Sequence, residues 1–186
     1  LKQTLLVIDV QQELLDGNSQ TSPVYRKAEL IATINQVVNK AEAHSIPVVF
    51  VRDLDVAGGN GQGFEIHNEI QVPENAHIFN KAATNAFYGT GLLEHLQAQE
   101  VGHLVIMGCE TPHCIDSAVR TATINGFDVT LIANGHSTIN SDVLTAEQII
   151  NHHNQILHGH YNVDHFSIVR SAEEAVFEPT HDTYRT

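Results

Sequence analysis

Short unbroken apolar runs alternate along this chain with longer stretches in which apolar residues recur every third or fourth position. Runs of the first kind fill residues 4–8 (TLLVI), 48–51, 76–80, 103–107 (HLVIM), 127–133 and 166–169, and each reads as a strand, with 103–107, which ends at a glycine, covered on both faces. The second kind predicts helices over about 24–43, 91–99, 112–124 and 145–157, with a short one starting at Ser171. Local punctuation supports the boundaries. Thr145 and Gln148 have capping-box spacing. Thr111 is placed to cap the helix that Pro112 opens, and Asn125-Gly126 supplies its stop. Residues 53–73 carry Gly58, Gly59, Gly61 and Gly63 with no sustained period, so they read as a long loop of the kind that often serves function. Strands alternating with helices, with no repeat or linker, predict one α/β domain over residues 1–186, built on a mostly parallel sheet with helices on both faces.

Composition narrows the partners more than the fold. With 42% hydrophobic and 17% charged residues, the 186-residue chain has the material for a sizeable core. Nine Lys and Arg against 22 Asp and Glu give a formal charge of -13, which argues against nucleic acid and anionic membrane surfaces as partners. No apolar run approaches the length of a membrane span. The two cysteines, Cys109 and Cys114, flank a strand-to-helix turn, where a disulfide would need a sharp fold-back. They read as reduced thiols, and the chain as cytoplasmic. A start at Leu1 rather than Met is compatible with residues having preceded it.

The candidate chemistry centres on Gly108-Cys109-Glu110-Thr111-Pro112-His113-Cys114. Cys109 closes a buried strand and reads as a small core residue. Cys114 falls in the first turn of the next helix, where unpaired N–H groups and the helix dipole are expected to lower its pKa and make it a nucleophile. In a parallel sheet, ligands bind at the carboxyl ends of the strands. Asp9 ends the first strand there and Lys81 the third. Singly, such residues are turn or solvated-end residues. An acid, a base and a thiol on one sheet edge are a catalytic combination.

Three segments carry a family resemblance: LLVIDVQQEL with its D-x-Q, FNKAATNAFYGTGLLEHL around the lysine, and GCETPHCIDSAVRTATINGFDVTLI around the cysteine. In order and spacing the chain resembles the isochorismatase-like cysteine hydrolases, which include nicotinamidases and N-carbamoyl amidohydrolases. The resemblance implies a six-stranded Rossmann-like core, a catalytic triad of Asp9, Lys81 and Cys114, and a cis peptide between Cys109 and Glu110. It further implies an oxyanion hole from the N–H groups of Glu110 and Cys114, and a thioester route to a small amide, ureide or N-carbamoyl substrate. It implies no cofactor.

Nicotinamidases of the family usually carry Asp-x-His after the second strand as metal ligands. Here the matching positions read Asp53-Leu54-Asp55, so neither that metal site nor nicotinamidase activity is the favoured expectation. Isochorismate hydrolysis is a lesser alternative, since that branch typically replaces the cysteine. A binding relative without catalysis is a third. His67, in the long loop, reads as a surface histidine unless it contacts metal or substrate. Phe87 and Tyr88 are candidate pocket walls, and Glu65, with Asp53 and Glu110, a source of an acidic entrance favouring neutral or cationic amides. His152, His153, His158, His160 and His165 crowd one segment and read as a polar helix end or subunit contact rather than a metal cluster. The expected partners are a small-molecule substrate and further copies of the chain in a homo-oligomer.

Overall fold

The computed structural model describes residues 1–185. Seven strands, β1 (Lys2–Ile8), β2 (Val48–Asp53), β3 (His77–Lys81), β4 (Val101–Cys109), β5 (Asp128–Ser137), β6 (Tyr161–Asn162) and β7 (His165–Arg170), form one sheet in the order β3-β2-β1-β4-β5-β7-β6. All neighbours pair in parallel except β6, which runs antiparallel to β7. Six strands follow the apolar runs. The seventh corrects the expected count, because two residues with exposed or half-buried side chains leave no apolar run to read.

Alternation along the strands divides two cores. Leu5, Val7, Val48, Phe50, Val105, Met107 and Cys109 pack on one face beneath the helix α2 (Lys27–Ala43). Leu6, Ile8, Val49, Val51, Leu104 and Ile106 pack on the other, against α4 (Leu92–Ala98), α5 (Asp116–Ile124) and the end of α6 (Ala146–Leu157). Helices on both faces are what the alternating pattern predicts. Two short helices were not legible in the pattern: α1 (Gln12–Asp16), with only Leu15 buried, and α3 (Gly61–Phe64) inside the long loop. The helix expected from Ser171 is instead a series of turns, beginning with Glu174 N–H donating to the Ser171 carbonyl at 3.1 Å.

β1 is flanked by β2 on one side and β4 on the other, so the chain winds outward from β1 and then crosses back to β4. The carboxyl ends of β1 and β4 thus meet at the point where the winding reverses, the place where parallel sheets open a crevice. Gly108 makes that meeting close: at φ +125° its Cβ would lie 2.1 Å from the Ile8 carbonyl oxygen. No helix among the described residues is long and apolar enough to cross a membrane.

Candidate active site

Asp9 directly follows β1, with its N–H donating to the Val51 carbonyl at 2.8 Å and its backbone at φ +51°. Lys81 is the last residue of β3, level with Asp53 at the end of β2. Beyond β4 the Cys109–Glu110 peptide is cis, as the resemblance implies. A π-type turn, Thr111–Ile115, then leads into α5, closed by Ile115 N–H donating to the Glu110 carbonyl at 3.2 Å. That turn carries Cys114.

These elements bring Asp9, Lys81 and Cys114 together. The Lys81 Nζ lies 2.9 Å from Asp9 Oδ2 and 3.3 Å from Cys114 Sγ. It also lies 2.5 Å from Asp53 Oδ2 and donates to the Ala83 carbonyl at 3.1 Å. Asp9 and Lys81 are fully buried and Cys114 is partly buried. The Asp9–Lys81 contact is an ion pair without strict hydrogen-bond alignment, and among the described residues no group meets full hydrogen-bond geometry with either Asp9 oxygen, although the Lys81 ammonium and the Cys114 thiol both lie against the carboxylate. Oxygens of Asp9 and Asp53 and the Cys114 sulfur all lie within 4.8 Å of one another, around the ammonium.

Asp53 is a member of the cluster that sequence reasoning considered only as a vestige of a metal pair or as entrance charge. Its position is held by Gln11 of the D-x-Q segment, whose side-chain amide donates to the Asp53 carbonyl at 3.0 Å and accepts from the Asp53 N–H at 2.8 Å. The signal that could have found Asp53 is register: it stands beside Lys81 once β2 and β3 are neighbours.

Burial sets the electrostatics. It pushes the Asp9 carboxyl up to about 6, against the pull of the Lys81 ammonium and the Cys114 thiol. Burial by itself would lower Lys81, but the charge of Asp9 and the bond to Asp53 overcome it and hold the ammonium above its ordinary value. Cys114 departs from expectation. Burial, followed by the Asp9 charge, pushes the thiol up to about 12 although Lys81 opposes the rise. Dipole reasoning from the helix end alone omitted both of these larger effects. Cys109 is wholly buried in the α2-side core, and burial pushes its thiol well above the ordinary value, as a core thiol should be.

Other sequence candidates are buried in the core, exposed to solvent or engaged by other side chains. Phe87 packs in the core beside Phe127, with ring centroids 6.5 Å apart. Tyr88 is 75% exposed. The Glu65 carboxylate accepts from Arg52 at 2.7 Å. His67 is not a surface residue: it is buried, accepts at Nδ1 from the Glu69 N–H and donates from Nε2 to Asp16 at 3.1 Å. Thr111 does not cap its helix, and its hydroxyl bonds to His136 instead. A divalent ion of the Asp-x-His kind does not fit these residues. Asp53 is committed to Lys81 and to the Asp55 N–H, Leu54 lies between the two acids, and His67 is engaged by Asp16.

Fold and site together define an α/β protein with a thiol, a carboxylate and an ammonium converging where the sheet winding reverses. The isochorismatase domain model matches residues 3–153, and the chain belongs to the isochorismatase family of hydrolases. It is 28% identical over 165 residues to a protein of Arabidopsis thaliana described as a probable inactive nicotinamidase, covering 76% of this chain and 84% of that one. A crystal structure of an isochorismatase family protein superposes with a TM-score of 0.81 at 28% identity, covering 91% of this chain and 98% of that one. The N-carbamoylsarcosine amidase of Thermoplasma acidophilum shares the fold, with a TM-score of 0.71 at 19% identity over 94% of this chain and 98% of that one.

Proposed function

We propose that this protein is a cysteine-dependent hydrolase that cleaves a C–N bond in a small amide, ureide or N-carbamoyl compound through a thioester. The observation that carries the reading is the convergence of Asp9 and Cys114 on the Lys81 ammonium, at 2.9 and 3.3 Å. A binding role places no demand on all three groups.

Asp9, ionised above about pH 6, takes the proton from Cys114 Sγ as the sulfur bonds to the substrate carbonyl carbon. Lys81 stays charged and offsets the negative charge that moves between sulfur and carboxylate. The tetrahedral oxyanion is received by the backbone N–H groups of Glu110 and Cys114, each contributing roughly 3 kcal/mol by analogy with comparable donors. As the C–N bond breaks, Asp9 returns the proton to the departing amine. A water molecule then gives a proton to Asp9 and attacks the thioester, and the sulfur leaves with that proton as the acid is released. The high resting value of Cys114 means that the thiolate forms as the substrate arrives rather than beforehand. Two unbridged thiols fit a reducing compartment, and we place the enzyme in the cytoplasm.

The test is a screen of small amides, ureides and carbamoyl compounds with ammonia detection, nicotinamide with added metal included. Cys114→Ala should abolish turnover of any substrate found while leaving the circular dichroism spectrum unchanged. Full activity in Cys114→Ala would end the mechanism. Alkylation of Cys114 by iodoacetamide no faster than that of buried Cys109 would favour a binding relative instead.

A further inference from the structure

The strand that follows the nucleophile's helix doubles back to the nucleophile. β5 pairs with β4 in step from His103↔Asp128 to Ile106↔Leu131, but the next pairs are Gly108↔His136 and Cys109↔Ser137. Two residues of advance on β4, from 106 to 108, are matched by five on β5, from 131 to 136. The extra residues form a bulge tight enough that a Cβ on Gly135 would lie 2.7 Å from Ile132 Cγ2. Bulges re-aim side chains. This one returns His136 and Thr138 to the end of β4, beside the residues that lead into the Cys114 turn.

Both make side-chain bonds there. The Thr138 hydroxyl donates to Glu110 Oε1 at 3.1 Å. His136 Nδ1 meets the Thr111 hydroxyl at 2.8 Å, and its Nε2 meets Asn154 Oδ1 of α6 at 2.8 Å. The direction of the chain is set at its far end. Asn154 Nδ2 donates to the Ala133 carbonyl at 3.1 Å, so its Oδ1 accepts from His136 Nε2–H, and His136 Nδ1 accepts from the Thr111 hydroxyl. Burial holds His136 down to about 4, so the ring is neutral and keeps this tautomer across the working pH range.

We infer that His136, oriented by Asn154, is a positioning residue that fixes the Cys114 turn through Thr111. It rests on the hydrolase reading, because it assigns His136 the task of keeping the sulfur within reach of Asp9. Thr111 stands three residues ahead of Cys114 in the same turn, so releasing its hydroxyl lets the sulfur drift from the carboxylate. His136 and Asn154 also line a cavity of about 320 Å³ between α2 and α6, which makes the relay reachable by a small molecule.

The probe is iodoacetamide on the full chain, with Cys114 labelling followed by peptide mass spectrometry from mildly acidic to mildly alkaline pH. In the wild type, the rate should step up near pH 6 as Asp9 ionises. A flat, slow profile there overturns the hydrolase reading itself. Given the step, Thr111→Val should lower its height about tenfold or more, and Thr111→Ser should keep it within about threefold. His136→Ala should show the same loss, and millimolar imidazole entering the cavity should recover about fivefold of it. If the wild type shows the step and Thr111→Val keeps it, the positioning role is wrong. Loss in every variant with recovery in neither Thr111→Ser nor imidazole means general loosening and overturns it equally. Should His136→Ala fail to fold, the Val and Ser pair at Thr111 decides.

Discussion

In the proposed mechanism, Asp9 is the residue whose environment has the most direct kinetic consequence. It accepts a proton only when ionised, and burial places its ionisation at about 6. Activity should therefore be present above that pH and fall about tenfold per unit below it, read as the acid limb of kcat/KM. A limb near the ordinary carboxylate value of 3.8 would remove Asp9 from the role of base. The same shift has the opposite sign for stability. A folded value raised above the unfolded one favours the folded chain most below about pH 4, and that contribution is lost as pH rises through about 6. Lys81 makes two nearby acids tolerable in a buried site, with side-chain exposures of 0% for Lys81, 1% for Asp9 and 18% for Asp53. Lys81→Met should cost about 3–5 kcal/mol in urea unfolding, since it leaves those carboxylates facing each other without a counterion. A cost near zero would mean that one carboxyl takes up a proton when Lys81 is gone, so that the ammonium is not what makes the pair tolerable. The identities of Asp9, Lys81 and Cys114 were legible because each follows a readable strand. The raised Cys114 value was not, since its causes are a burial and a carboxylate supplied from over a hundred residues away in the chain.

At the scale of elements, what could be read was what the chain encodes within a few residues. The capping box opening α6 is of this kind: Gln148 N–H donates to Thr145 Oγ1 at 3.2 Å, and Thr145 N–H donates to Gln148 Oε1 at 2.9 Å. Thr145→Ala should cost about 1 kcal/mol in thermal or urea unfolding, and an unchanged midpoint would show that tertiary packing alone holds that helix end. Thr111 has the same residue type at a similar boundary and does something else, because its partner His136 lies on a later strand. β1, β2, β4 and β5 were evident from buried residues in succession, as central parallel strands demand. α1 was not, because five residues with one buried side chain carry no period. His67 escaped for a related reason. Its ring bonds to Asp16, fifty-one positions earlier, and its N–H to the Val10 carbonyl, and nothing beside it in the loop announces those contacts.

Across the whole molecule the sheet separates two tasks by its two ends. Asp9, Lys81 and Cys114 gather at the carboxyl ends of the strands, while the final segment crosses near the opposite ends. There Gln3 Nε2 donates to the Phe177 carbonyl at 3.0 Å, Lys40 Nζ to the Glu174 carbonyl at 3.0 Å, and His181 Nε2 to the Val129 carbonyl at 2.9 Å. Ala172, Val176 and Phe177 complete the core beneath α2. That closure was invisible in the pattern, where the same residues suggested a short helix, because their order comes from the cores they cover and not from their own spacing. A strand of seven residues spans roughly 20 Å, so Phe177, tied to Gln3 at the start of β1, and the thiol beyond the strand ends are too far apart to touch. Phe177→Ala should therefore cost about 3–5 kcal/mol of unfolding free energy by leaving a cavity. At temperatures where the variant is still folded, the rate and pH step of Cys114 alkylation should match the wild type within about twofold, as sites a strand length apart behave. A large change in that step at equal folded fraction would mean that the two ends of the sheet are coupled, and that the site depends on the tail as well as on its own rim.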